Sequence, residues 1–212
     1  GLRPSFSLED KFTAHEGPLL MTGTQALVRL VIEQGRRDRA QDLNTAGFVT
    51  GYRGSPVGTV DMQMARAQQI LDDLNILVRP AVNEDLGATM AWGTQQIARD
   101  KDKLHDGVFS LFYAKAPGID RSGDPLRHAN VYGTDPLGGV LAIGGDDPRA
   151  KSSTIASQTD VSFADLEIPV FSPMDVHDIV KLGLHGWALT RHAGLWSAMT
   201  VTPELMDGSG LV

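Results

Sequence analysis

The stretch Ala81-Val82-Asn83-Glu84-Asp85-Leu86-Gly87-Ala88-Thr89-Met90-Ala91-Trp92-Gly93-Thr94-Gln95-Gln96 reads as the end of a strand running into a helix, with Glu84 in the first helical turn. Leu86, Met90, Gly93 and Ile97 recur at spacings of 4, 3 and 4, which predicts one buried helix face. Gly87, Ala88 and Ala91 stack above Glu84 by helical spacing, and all three are small. That strip predicts a cleft or interface face, where a ligand or a second chain can come close to a carboxylate. A first-turn acid also interacts favourably with the helix dipole whatever its function. The stretch alone therefore leaves a purely structural Glu84 open.

Working outward, apolar runs predict strands at residues 46–50, 76–82, 107–114, 139–144, 168–171 and 195–201. Helical periods fill the gaps. Thr22 or Thr24 is placed to cap a helix through Leu27, Leu30 and Val31 to about Gly35. Val60, Met64, Ala67, Leu71 and Leu74, at spacings of 4, 3, 4 and 3, predict a core-facing helix. Its entry is predicted at Ser55 as N-cap with Pro56 as first helical residue. Ser172-Pro173 predicts the start of another helix, running through Val176, Ile179, Gly183 and Trp187 to His192. Lys115–Tyr132 reads as a loop followed by a short helix. Strands alternating with helices predict an α/β domain: a doubly wound, mostly parallel sheet of about six strands with helices on both faces. Residues 1–15 show no period and read as an N-terminal arm, leaving 16–212 as the domain.

Ligands of such sheets bind beyond the carboxyl ends of the strands. The chemically unusual segments Tyr52–Ser55, Asn83–Glu84, Lys115–Asp124 and Gly145–Asp147 are all predicted there.

Bulk composition narrows the function. The net charge is −7 and the pI near 5.3, without a dense basic run, which argues against a nucleic-acid partner. Arg36-Arg37-Asp38-Arg39 is short and interrupted, and reads as a solvated helix end. With no cysteine, this chain supplies no disulfide, thiolate nucleophile or cysteine-ligated cluster, which fits a cytoplasmic protein. No apolar run approaches the roughly 18 residues of a membrane span. Residue 1 is Gly, so a processed chain or a piece of a longer one is expected.

The familiar short motifs are absent. No GxGxxG follows the first strand, and neither GxxxxGK[ST] nor GxSxG occurs. His177, His185 and His192 share a helix at offsets of 8 and 7, too far apart for a metal site, so no metal ligands are assigned. Asp146-Asp147-Pro148 reads as a turn initiator sooner than as a metal site. Lys115, closing an apolar strand, is either buried or a simple strand end.

Four segments in fixed order carry a resemblance. They are Gly51-Tyr52-Arg53-Gly54-Ser55-Pro56, Val82-Asn83-Glu84-Asp85-Leu86-Gly87-Ala88, Gly118-Ile119-Asp120-Arg121-Ser122-Gly123-Asp124-Pro125, and Gly144-Gly145-Asp146-Asp147 with Lys151-Ser152-Ser153. Together they resemble the N-terminal pyrimidine-binding domain of the 2-oxoacid:ferredoxin oxidoreductases, above all the indolepyruvate enzymes. Leu20–Leu30 and Leu184-His185-Gly186-Trp187-Ala188 resemble the long bacterial form with several domains on one chain. The likeness covers roughly residues 8–208.

The resemblance implies an enzyme that uses thiamine diphosphate with magnesium, 4Fe–4S clusters and coenzyme A to convert a 2-oxoacid to an acyl-CoA, passing electrons to ferredoxin. In that family a Glu at the position of Glu84 hydrogen-bonds the cofactor's aminopyrimidine ring and promotes the tautomer that takes up a proton. It further implies cofactor contacts from Tyr52, Gly54, Ser55, Pro56 and Asn83, and substrate contacts from Ser55, Lys115, Asp120, Arg121 and Asp146. Arg53 stands where relatives often have Pro. The Gly-Asp-Gly segment that holds magnesium and diphosphate is missing, as are the cluster cysteines. The site is thus expected to be completed by a diphosphate-binding domain or subunit, in a homo-oligomer with no membrane or nucleic-acid partner. A structural domain that kept the fold but lost the chemistry, and part of a non-oxidative thiamine diphosphate decarboxylase, are the alternatives.

Overall fold

The computed structural model describes residues 7–212. Six parallel strands form the main sheet: β2 (Thr45–Gly51), β3 (Ile76–Val78), β4 (Gly107–Lys115), β5 (Val140–Gly145), β6 (Val170–Phe171) and β7 (Ser197–Val201), in the order β3-β2-β4-β5-β7-β6. A separate antiparallel pair joins β1 (Leu20–Thr22) to β8 (Ser209–Leu211). Three residues per strand are too few to show a period, so this pair is invisible in the sequence.

Along β4, Phe109, Leu111 and Tyr113 face one core and Phe112 and Ala114 the other, as a strand covered on both sides requires. The first core packs under α2 (Gly23–Ala40), α3 (Val60–Arg66), α4 (Gln68–Asp73) and α9 (Val176–Ala193), with Leu27, Leu30, Val49 and Trp187. The second packs under α5 (Glu84–Thr94), α6 (Ala116–Arg121), α7 (Gly123–Tyr132) and α8 (Asp160–Asp165), with Ile119, Leu126, Ala142 and Phe163. The doubly wound sheet is therefore present, with its helices on both faces.

Several expectations change. Val60, Met64, Ala67, Leu71 and Leu74 are all buried, but the helix breaks into α3 and α4 at Ala67. Ser55 is not its N-cap: a turn around a cis Ser55–Pro56 bond separates β2 from α3, which starts after Thr59. Asp175, not Ser172, caps α9 by accepting from the Asp178 amide at 2.9 Å. Lys115–Tyr132 is helical almost throughout, because Pro117 fits the first turn of α6 and Gly123 opens α7 directly after Ser122. The second strand ends at Val78, although the Arg79 and Ala81 amides still donate to the Val49 and Gly51 carbonyls of β2. Two further helices, α8 and α10 (Pro203–Asp207), were not anticipated.

The N-terminal arm is partly a docked helix, α1 (Asp10–Thr13), whose Phe12 joins the first core; residues 1–6 of the predicted arm lie outside the described residues. The arm is held by the supposedly solvated run. Arg36 donates to the carbonyls of Phe12, Thr13 and Ala14, and Arg29 to that of Lys11. Asp38 is buried and accepts from both terminal nitrogens of Arg191 at 2.7 Å, from Gln34 and from Thr45. Arg191 and the arm carbonyls are distant in sequence, so the run's spacing could not show them.

The largest reversal concerns α5. Gly87, Ala88 and Ala91 are its buried face, while Leu86 is 48% exposed and Gly93 opens onto free space. The helix rests so closely on β2 and β4 that a Cβ at Gly87 would stand 3.1 Å from the Phe112 ring. Only small side chains fit that approach. The small strip is core and not a cleft face.

Ala88→Leu should therefore overpack the second core and lower the unfolding free energy by about 1–3 kcal/mol. Leu86→Ala should stay within about 0.5 kcal/mol of the parent. Urea denaturation of the two variants checks both.

Candidate functional site

The connection from β2 leaves toward β3 at one side of the sheet and that from β4 toward β5 at the other. The carboxyl ends of β2 and β4 thus flank the switch point where doubly wound sheets bind ligands.

Backbone contacts fasten this point. The Tyr52 amide donates to the Tyr113 carbonyl at 3.1 Å, and the Ala81 amide to the Gly51 carbonyl at 2.9 Å. Gly51 is required by this closeness: a Cβ there would lie 2.1 Å from the Tyr113 oxygen. The second bond draws the 79–83 segment over the end of β2 and so brings Asn83 and Glu84 to the switch point. Asn83 caps α5 by accepting from the Leu86 amide at 2.9 Å.

Glu84, first residue of α5, is half-buried and leans on Gly118 of α6. Among the described residues no hydrogen-bond donor reaches its carboxylate, and Arg121 acts on it only as a nearby positive charge. Arg121 itself donates Nε to Asp85 Oδ2 at 3.0 Å. That hydrogen bond, with the charge of Asp85 and then that of Glu84, favours the charged guanidinium. The other Asp85 oxygen, Oδ1, is shielded from water and has no hydrogen-bond partner among the described residues. Glu84, Asp85 and Arg121 are thus one electrostatic cluster.

The loop after β2 crosses the crest of the sheet. Arg53 reaches Asp61 at 3.4 Å, Gly54 lies under the Lys115 side chain, and Pro56 packs on Gly145 at the end of β5. Ser55 is exposed.

The remaining anticipated residues have other engagements. Lys115 closes β4, half-buried, and donates Nζ to the Ser152 carbonyl at 3.1 Å. Asp120 accepts from Ser162 at 2.9 Å. Asp146, only 7% exposed, accepts from Thr159 at 2.8 Å. Burial raises its carboxyl to about 6 against the Thr159 bonds that lower it, and nearby Asp160 raises it further. Its neighbour Asp147 shows the opposite shift. The Ser153 hydroxyl at 2.6 Å and the amides of Ser152 and Lys151 hold it down to about 2. Asp147 thereby organises residues 147–157 into a turn, in line with the turn-initiator reading, with Ser152 and Ser153 among its donors.

His177, His185 and His192 are exposed along α9. Among the described residues no three His, Asp or Glu side chains converge as metal ligands, and no helix is long and apolar enough to cross a membrane.

Of the anticipated residues, the fold brings Glu84, Asn83, Tyr52 and Arg121 together at the carboxyl end of the sheet. Sequence reasoning missed the parts of Asp85 and Gly118. Both lie inside the quoted segments, but nothing in their spacing pairs α5 with α6.

The two aspartates make the chain's stability depend on pH in opposite senses. Asp147, depressed when folded, stabilises fully above its unfolded value near 4, and that share is lost as pH falls toward 2. Asp146, raised when folded, favours the fold below about pH 4, and that share is lost as pH rises through about 6. Asp147→Asn should therefore lower the melting temperature at pH 7 and converge on the parent near pH 2. Asp146→Asn should raise it at pH 8 and leave it unchanged at pH 4. Thermal scans across that range decide both.

No family model and no curated protein matches the sequence. Among solved structures, this chain is similar to a 2-oxoglutarate:ferredoxin oxidoreductase from Magnetococcus marinus, whose structure holds 2-oxoglutarate, coenzyme A and succinyl-CoA. The two share 18% identity with a TM-score of 0.69, over 92% of this chain and 31% of that one. At that identity the likeness establishes the fold. The chain spans about a third of the length of that oxidoreductase.

Proposed function

We propose that this chain is the pyrimidine-binding part of a thiamine diphosphate-dependent 2-oxoacid:ferredoxin oxidoreductase acting on an indolepyruvate-like 2-oxoacid. The observation that carries the reading is Glu84. Its half-buried carboxylate stands at the switch point of the sheet, free of protein donors among the described residues. The solved oxidoreductase of the same fold supports the enzyme class.

The residues fit a ring nitrogen that donates a shared proton. Glu84 offers an uncommitted acceptor, and Asn83 fixes its backbone by capping α5. When bound, thiamine diphosphate supplies the carbon nucleophile and electron sink of 2-oxoacid decarboxylation. This chain's part is to bind and orient the cofactor's pyrimidine and to hold the proton at Glu84. Tyr52, Gly54, Ser55 and Pro56 form the loop over the crest that would line that ring. Arg121 is the exposed cation that would meet a substrate carboxylate. Lys115, Asp120 and Asp146, tied to Ser152, Ser162 and Thr159, would shape the wall of the pocket. Magnesium and diphosphate ligands, 4Fe–4S clusters and the coenzyme A site would come from a partner domain or subunit, in an oligomer that delivers electrons to ferredoxin.

Two outcomes follow. Glu84→Gln in the complete enzyme should reduce 2-oxoacid turnover at least roughly a hundredfold while leaving its melting temperature near the parent's. Normal turnover would remove Glu84 from the chemistry. By titration calorimetry, the 212-residue chain should take up magnesium thiamine diphosphate weakly or not at all, because the charge-assisted contacts to the diphosphate are not its own.

A further inference from the structure

We propose that Gly118 is a positioning residue for Glu84: the bare Cα at this place in α6 determines where the Glu84 carboxylate stands. The inference rests on the role proposed for Glu84 and extends it to a second helix.

A Cβ built on Gly118 would lie 2.4 Å from Glu84 Cγ, 2.7 Å from Oε1 and 2.9 Å from Cδ. The three nearest atoms all belong to that one side chain. None is backbone, and none comes from the second core. The glycine has no conformational excuse either. Gly118 lies within α6 and is not among the residues at positive φ, so any L-residue could adopt its backbone. Helix propensity favours Ala at such a position over Gly. What the missing side chain accommodates is the carboxylate of Glu84.

The rest of α6 keeps the two elements in register. Arg121, three residues beyond Gly118, lies one turn on along the same face, and its Nε bonds Asp85, the neighbour of Glu84. Gly118 and Arg121 thus face consecutive residues of α5. One leaves room for the first carboxylate and the other tethers the second. Asp85 keeps Arg121 occupied, so Arg121 reaches Glu84 as a charge and not as a hydrogen-bond donor. Glu84 is left with its acceptor free and its side chain lying against Gly118.

An added methyl would push the Glu84 side chain off Gly118, because contacts under 3.0 Å do not persist. A displacement of about 1 Å at a group that must meet a ring nitrogen can lower turnover on the order of a hundredfold.

The test is a double-mutant cycle in the complete enzyme, with Gly118→Ala, Glu84→Gln and their combination, read as kcat and KM for the 2-oxoacid. Expected is a fall in kcat for Gly118→Ala alone, with KM for the 2-oxoacid little changed, and no further fall when it is added to Glu84→Gln. Full activity in Gly118→Ala beside an inactive Glu84→Gln would overturn the positioning role and leave the function standing. Full activity in Glu84→Gln would overturn the function itself. Equal losses from Gly118→Ala in both backgrounds would mean that Gly118 does not act through Glu84.

A second readout needs no activity. A Glu84→Ala background removes the three atoms nearest the added methyl, so adding Gly118→Ala should keep or raise the melting temperature of the 212-residue chain. A lower melting temperature in that background would show that the methyl strikes something other than Glu84 and would overturn the proposal even if Gly118→Ala alone failed to fold.

Discussion

The closeness with which α5 lies on the sheet governs this molecule. A Cβ at Gly87 would stand only 3.1 Å from the Phe112 ring, and Ala88 and Ala91 are wholly buried against the same core. A helix that sits this low carries its first turn down to the carboxyl ends of β2 and β4. Glu84 therefore emerges at the crest and not above it. Its side chain then occupies the space that Gly118 leaves in α6. Interiors at crystal-like density transmit such constraints, since no void is available to absorb a displaced helix.

The two ends of the sheet are built differently. The amino-terminal edge is closed by satisfied polar networks. Asp38 takes both terminal nitrogens of Arg191 together with Gln34 and Thr45. Gln95 uses both halves of its amide, donating to Thr94 and Val108 and accepting from the Asp135 and Gly139 amides. Buried networks of this kind fix a unique arrangement when every member has a partner. The carboxyl ends of β2 and β4 have the opposite character. There Val82 is 78% exposed, Leu86 and Tyr52 are open to solvent, and the Glu84 carboxylate lacks a donor among the described residues. A closed base beneath an open crest lets a fold hold functional groups on rigid elements while leaving them unspent.

Asp146 and Asp147 show how local wiring separates neighbours. Both are buried acids at the end of one strand, yet one is pushed up to about 6 and the other held down to about 2. Asp147 collects a hydroxyl and two amides from the turn that it starts, whereas Asp146 has Thr159 against its desolvation and the nearby charge of Asp160. Ser152 and Ser153 were visible in the sequence. Which aspartate they served was not.

The period of apolar residues and the strand–helix alternation determined the layered α/β sheet, its six main strands and the placement of Glu84 at the start of a helix after a strand. These are local patterns, imposed by the geometry of one element at a time. Tertiary structure alone decided which face of α5 is buried. Leu86 and Met90 have the right spacing for a core, but a close approach to the sheet excludes large side chains and selects Gly87, Ala88 and Ala91. It alone decided that Asp38 is a buried ion-pair partner, since Arg191 lies 153 residues away in sequence. And it alone brought Gly118 and Arg121 against Glu84 and Asp85. Which side chains meet across two helices depends on their distance and rotation over the shared sheet, and no spacing within either helix encodes that.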